Sequence, residues 1–180
     1  ALAQGYFRNG LCGVVVRPVG IFGPGDTRFL KLFRAIARGR FVMLGSGRTL
    51  YHMTYIDNLI DGYLLCAQHP AAAGEVFLIA GEAATTIQAL VEAIAGALGV
   101  PAPRHHVPLW PFQLAAPVTQ AVCRAVGVEP PLYPRRLEFF SDDRAFTIAK
   151  ARRLLGYAPR VSLEEGLQRT AAWYRAQGWL

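Results

Sequence analysis

Residues 14–26 read VVVRPVGIFGPGD, and no other stretch limits the folds open to this chain so strongly. Three consecutive β-branched valines favour an extended backbone, and with Leu11 and Cys12 they make a short apolar run ending at Arg17. Such a run, apolar at consecutive positions, reads as a strand covered on both faces, the habit of parallel sheets. Pro18 then fixes φ, and Gly20, Gly23 and Gly25 let other groups approach the backbone closely. The strand therefore delivers a rigid, glycine-punctuated loop.

The remaining pattern alternates strands with helix-length segments. Asp26 or Thr27 is placed to cap a helix whose Phe29, Leu32, Phe33 and Ile36 share one face, ending at Gly39. FVML and the alternating YHMTYI follow, and Asp57 is placed as the N-cap of a helix through Leu59, Ile60, Tyr63, Leu64 and Ala67. Glu75 to Ala80 reads as a second buried strand. Thr85 and Gln88 have capping-box spacing before a helix that Gly99 closes. Three prolines on either side then bracket an apolar segment, Trp110 to Val128, expected to be a mobile or substrate-covering helix, with a membrane-surface role as the minority reading. FTIAKARRLLGY predicts a helix ending at Gly156, and Ser162 with Glu165 opens a last helix toward Trp173 and Tyr174. Alternation of this kind predicts an α/β fold with a largely parallel sheet.

Charge and cysteines exclude several classes. The net charge of +7 rests on 17 arginines and two lysines against 12 acidic residues, but the arginines are scattered, without a basic run interleaved with aromatics. Nucleic acid is therefore not an expected partner. Cys12, Cys66 and Cys123 stand far apart among apolar neighbours, which predicts buried reduced thiols in a cytoplasmic protein and no metal framework. No apolar stretch reaches membrane-spanning length, and residues 1–9 lack the basic leader and apolar core of a signal peptide.

Chemistry-bearing motifs are sparse. Neither GIFGPGD nor GSGRT has the glycine spacing that seats a pyrophosphate on a helix N-terminus. None of the seven tyrosines has a lysine four residues on, so no phenol is activated by an ammonium one turn away. No serine occupies a G-x-S-x-G elbow, and His105 and His106 read as polar loop groups.

Three stretches carry a resemblance in order along nearly the whole chain: VVVRPVGIFGPGD, GSGRTLYHMTYIDNLIDGYLLCAQHP and FTIAKARRLLGYAPRVSLEEGLQRTAAWYR. Together they resemble the C-terminal portion of an extended short-chain dehydrogenase/reductase of the NAD-dependent epimerase/dehydratase group. The branch they look most like is that of 3β-hydroxysteroid and sterol-4α-carboxylate 3-dehydrogenases. The resemblance implies the C-terminal half of a Rossmann-like fold with a small substrate-binding subdomain. Residues 1–99 would complete the sheet with interleaved substrate-side elements, and 100–180 would be mainly substrate-side. ALAQ at the start resembles the stretch just after the family's Tyr-x-x-x-Lys pair, with Gln4 where the family often has Glu. The dinucleotide-binding half, with the catalytic residues, would then lie ahead of Ala1.

The resemblance also assigns roles. Pro18, Val19 and Ile21 map to main-chain contacts with the nicotinamide of NAD or NADP, while Gly20, Phe22 and Tyr51 map to substrate contacts. Nucleotide-sugar epimerases often carry Asn where this chain has Gly20 and a phosphate-gripping Arg where it has Tyr51. Losing both favours a less charged, sterol-like secondary alcohol, although Arg48 or Arg135 could compensate. The implied function is that of an NAD(P)-dependent oxidoreductase portion, inactive in isolation, with a homodimer possible in the longer enzyme. Two alternatives stay open: a nucleotide-sugar epimerase or dehydratase portion, and a non-catalytic binding module. The implied location is cytoplasmic, with weak membrane-surface association conceivable.

Overall fold

The computed structural model describes residues 2–125, 127–128 and 134–180. Along the chain run α1 (Leu2–Arg8), β1 (Val15–Pro18), β2 (Gly20–Phe22), α2 (Leu30–Ala37), β3 (Met43–Leu44), β4 (Leu50–Tyr51), β5 (Met53–Tyr55) and α3 (Ile56–Gln68). After a short 3-10 turn come β6 (Val76–Ile79), β7 (Thr85–Thr86), α4 (Ile87–Leu98), β8 (His106–Val107), α5 (Trp110–Ala125), α6 (Pro134–Ser141), α7 (Ala149–Leu155) and α8 (Leu163–Ala176).

The valine run does form a parallel strand, but Pro18 divides it. β1 pairs with β6 as far as Pro18 opposite Ile79, and one residue later β2 pairs in parallel with β5, Gly20 opposite Met53. Two smaller pairings complete the described sheet structure: β3 with β8 in parallel and β4 with β7 antiparallel. The expectation that this strand is covered on both faces is corrected. Val15 and Val16 are half-buried and Arg17 and Pro18 exposed, because among the described residues β1 is paired along one edge only.

Two apolar clusters flank this handover. One joins Phe22, Phe33, Met53, Tyr55, Leu90, Ile94, Leu167 and Tyr174, and so binds α2, α4 and α8 to the β2–β5 pair. The other gathers Leu59, Phe77, Ile79, Ala151, Leu155 and Tyr157 around β6. Segments 1–99 and 100–180 therefore interleave: α7 covers β6 and α8 lies on α4 and β5. Gly166 permits that approach, since a Cβ there would stand 2.8 Å from Tyr55 and 2.9 Å from Phe22.

Helix ends follow side-chain chemistry with small shifts. Ser162 caps α8 by accepting from the Glu165 N–H at 3.1 Å, and Gly99 and Gly156 close α4 and α7 at φ 70° and 66°. Thr86, not Thr85, caps α4 through the Ala89 N–H. Asp26 does not cap α2. Its Oδ1 instead accepts the Arg28 N–H at 3.0 Å within a turn, and α2 starts at Leu30 without a side-chain cap. Asp57 lies inside the first turn of α3, where its charge favours the helix dipole. His106 is a strand residue whose Nδ1 lies 3.1 Å from the Gly45 carbonyl oxygen. Of the three free thiols only Cys66 is buried, and that burial pushes its pKa up. Cys12 is exposed because it precedes β1, and Cys123 is half-buried.

Asn58 is the principal buried polar tie. Its Oδ1 accepts from the Arg160 and Val161 N–H groups at 2.9 and 3.0 Å, and its Nδ2 donates to the Val161 carbonyl at 2.8 Å. One carboxamide thus pins the segment entering α8 to α3. Asn58→Ala leaves those three backbone groups without partners and is expected to cost about 2–4 kcal/mol, read as a lower urea midpoint at unchanged m-value.

Tyr157 donates to the Ala80 carbonyl at 2.8 Å and Tyr174 to that of Asp26; burial pushes both phenols up to about 12. Since the folded values exceed the unfolded value near 10, this stabilisation is complete below about pH 10 and is lost as pH rises toward 12. Thermal melts between pH 9 and 12 should show stability falling with pH. Tyr157→Phe should be less stable at pH 8 but lose stability less steeply above pH 10.

Candidate functional site

The Pro18 handover places main chain at the carboxyl ends of β1 and β6, the edge at which open α/β sheets bind ligands. There Arg17, Pro18, Val19, Gly20 and Leu78 form one wall of a cleft of about 240 Å³, and Tyr51, His52, Arg144 and Phe146 form the other. The structure thus brings four of the six residues singled out from sequence, Pro18, Val19, Gly20 and Tyr51, into one concavity.

The other two lie elsewhere. Ile21 packs against the β6 cluster while its carbonyl accepts from Arg28 at 2.8 Å, so it backs the cleft wall. Phe22 is 2% exposed, edge-on to Tyr55, and borders a separate cleft of about 370 Å³ lined also by Asn58, Glu82 and Glu164. Its placement in the core follows from the alternation of β2 next to the close-packed Gly166. Arg48 does not line the Tyr51 cleft, and the Arg135 side chain lies outside the described residues.

Tyr51 can sit where it does because residue 20 has no side chain. A Cβ on Gly20 would be 3.0 Å from the Tyr51 hydroxyl oxygen, 3.1 Å from its ring and 3.3 Å from the His52 carbonyl oxygen. On its other side the Tyr51 ring meets Phe139 edge-on at 5.0 Å. Burial pushes the phenol above its ordinary value, an effect opposed by the positive charges of Arg144 and Arg28. Tyr51 therefore remains a neutral hydrogen-bond donor.

His52 holds the far wall together. It is 2% exposed, its Nε2 lies 3.1 Å from the Gly81 carbonyl oxygen, and its Nδ1 lies 3.4 Å from the Phe146 nitrogen. A carbonyl only accepts and an amide N–H only donates, so these partners assign a neutral ring with its proton on Nε2. The 143–146 segment is fastened further by the Arg144 N–H to the Leu50 carbonyl at 2.8 Å and the Leu50 N–H to Asp143 Oδ1 at 2.7 Å. Arg144 reaches Glu138 at 3.4 Å, and Arg17 has no ion pair among the described residues. The lining includes Arg17 and Arg144 and no acidic residue, with Arg144 paired to Glu138 outside it, so the cleft favours an anion or an electron-rich oxygen over a cation.

Sequence reading missed Arg17, His52, Leu78, Arg144 and Phe146. The signal for His52 was present, as a polar residue within an apolar alternation, whereas Arg144 and Phe146 reach Tyr51 only through tertiary folding. Gly20→Ala should be destabilising by about 1–3 kcal/mol through overpacking. Pairing it with Tyr51→Ala, which removes the two nearest contacts, should restore part of that loss in a double-mutant cycle. Additive effects would show that the two residues do not press on each other.

Comparison with known proteins agrees with this architecture. Residues 2–109 match the model of the 3-beta hydroxysteroid dehydrogenase/isomerase family. The decarboxylating sterol-4-alpha-carboxylate 3-dehydrogenase of Saccharomyces cerevisiae is 34% identical over 177 residues, covering 89% of this chain and 49% of that protein. The mouse enzyme of the same name is 29% identical over 165 residues, covering 86% and 46%. Among solved structures, a UDP-glucuronic acid 4-epimerase from Bacillus cereus in complex with UDP-glucuronic acid and NAD superposes with a TM-score of 0.68 at 22% identity, over 98% of this chain and 49% of that one. The chain spans about half the length of the curated relatives it matches. It belongs to the 3-beta hydroxysteroid dehydrogenase/isomerase family, with the Rossmann-like α/β architecture of the epimerase-type dehydrogenases.

Proposed function

We propose that this chain supplies the substrate-side half of an NAD(P)-dependent oxidoreductase acting on a secondary alcohol of the 3β-hydroxysterol type. The observation that carries the proposal is the cleft itself, in which exposed main chain at Pro18 and Val19 lies across from Tyr51, between two arginines. A flat ring would rest on this segment at Pro18, whose backbone is fixed and presents no N–H, with Tyr51 filling the space over Gly20 as its neighbour. Pro18 and Val19 would hold the carboxamide edge of the nicotinamide, with Ile21 as support behind them. The bound dinucleotide supplies the hydride acceptor.

The chain's own residues set the substrate. Leu78 and Phe146 give apolar contact to a hydrocarbon skeleton, and Tyr51 donates a hydrogen bond. Arg17 and Arg144 provide charge for an anionic group near the reacting carbon, which suits a carboxylate-bearing sterol alcohol. Its 180 residues contain neither a Tyr-x-x-x-Lys pair nor a Gly-rich pyrophosphate turn, so by itself the chain is expected to show no turnover.

Isotope-labelled protein titrated with nicotinamide mononucleotide should show amide shifts at Val19 and Gly20. A soluble 3β-hydroxysterol carboxylate should shift Gly20, Tyr51, His52 and Phe146. Shifts at those positions with UDP-glucose and none with the sterol acid would replace the sterol reading with a nucleotide-sugar one. NADH formation by the chain alone would overturn the assignment of proton transfer to groups outside it.

A further inference from the structure

Arg28 is not among the residues lining the Tyr51 cleft, yet it is fixed immediately behind one wall of it. Its backbone N–H and its Nε donate to Asp26 Oδ1 at 3.0 and 2.9 Å, and its Nη2 donates to the Ile21 carbonyl at 2.8 Å. The Gly20 N–H faces β5, where it meets the His52 carbonyl, so the Ile21 carbonyl turns to the opposite edge of β2, which no described strand covers. Arg28 occupies that edge. The chain returns to it through Gly25 at φ 86°, with the Asp26 N–H closing on the Gly23 carbonyl at 3.2 Å.

Asp26 is an unusual partner for a surface arginine. Its side chain is 10% exposed, and its Oδ2 is buried with no hydrogen-bond partner among the described residues. Desolvating a carboxylate and leaving one oxygen unpaired is costly, and every bond that its side chain accepts among the described residues comes from Arg28. The Arg28 side chain is 65% exposed, and its Nη1 has no partner among the described residues. The pair therefore buries its negative end and presents its positive one.

That positive end stands beside Tyr51. Ile21 follows Gly20, over which the Tyr51 ring lies. Burial raises the Tyr51 phenol, Arg144 and then Arg28 oppose that rise, and Asp26 offsets them by less. An anion in the cleft would thus meet Arg144 on one wall and the field of Arg28 from behind the other.

We propose that Arg28, held by Asp26, is a specificity residue of this cleft, selecting a substrate with an anionic group near Tyr51 over its neutral counterpart. The proposal rests on the cleft being the substrate site, but not on which alcohol fills it.

The test follows the Tyr51 and His52 amides of the isotope-labelled protein during titration with a soluble 3β-hydroxysterol carboxylate and with its primary amide. Arg28→Gln keeps a donor for the Ile21 carbonyl and loses the charge. It should weaken the acid about five- to tenfold and the amide by less than about twofold. Salt at about 0.5 M should shrink that difference. Asp26→Ala, which leaves the guanidinium charged but unheld, should also weaken the acid selectively. Should that variant fail to fold, Arg28→Lys makes the same comparison, since it keeps the charge without the fork that joins Asp26 to Ile21, and it should recover only part of the loss. Equal weakening of acid and amide would make Arg28 a prop for β2 and overturn the proposal, as would unchanged binding of the acid. If UDP-glucose shifts these amides and the sterol acid does not, the sterol reading fails alone, and Arg28→Gln should then weaken UDP-glucose by the same factor. Shifts with neither ligand would overturn both readings.

Discussion

The structure depends on a change of partner made within two residues. Up to Pro18 the chain is hydrogen-bonded alongside β6, and from Gly20 it runs alongside β5. The missing amide hydrogen of Pro18 weakens continuation of the first ladder, and the Val19 N–H reaches the Ile79 carbonyl only at 3.4 Å. The Gly20 N–H then joins the His52 carbonyl at 3.3 Å. Because the two apolar clusters are anchored on different sides of this step, it also aligns α3 and α7 with α2, α4 and α8. The cleft is the concavity left at the step.

Buried polar groups fix what apolar packing leaves adjustable. Asn58 ties the entry of α8 to α3, and His52 ties the Gly81 loop to the segment ahead of α7. Each joins pieces of chain distant in sequence through directional bonds whose partners admit one arrangement. Such groups add modest net stability, but leaving their partners unpaired is expensive, so they select one relative setting of the layers.

Local chemistry made much of this legible from sequence. The valine run, the strand at Val76–Ile79, the glycine stops of α4 and α7 and the Ser162 cap all depend on neighbours a few residues apart. Burial was harder to read, because three valines are covered only where another element lies on them, and β1 has one paired edge. The site divided along the same line. Pro18, Val19, Gly20 and Tyr51 came from the family resemblance and meet in the cleft, whereas Phe22 belongs to the core on the far side of β2. Arg144 and Phe146 could not be read at all, since their approach to Tyr51 is set by the hydrogen bonds of Leu50 and His52.

The bare backbone at Gly166 has a mechanical consequence. With Tyr55 and Phe22 pressed against that one notch, α8 is keyed to its place along the axis, because sliding it would bring Leu163 or Thr170, which share the face of Gly166 one turn away, against the two rings. The notch acts as a detent against slippage along the helix.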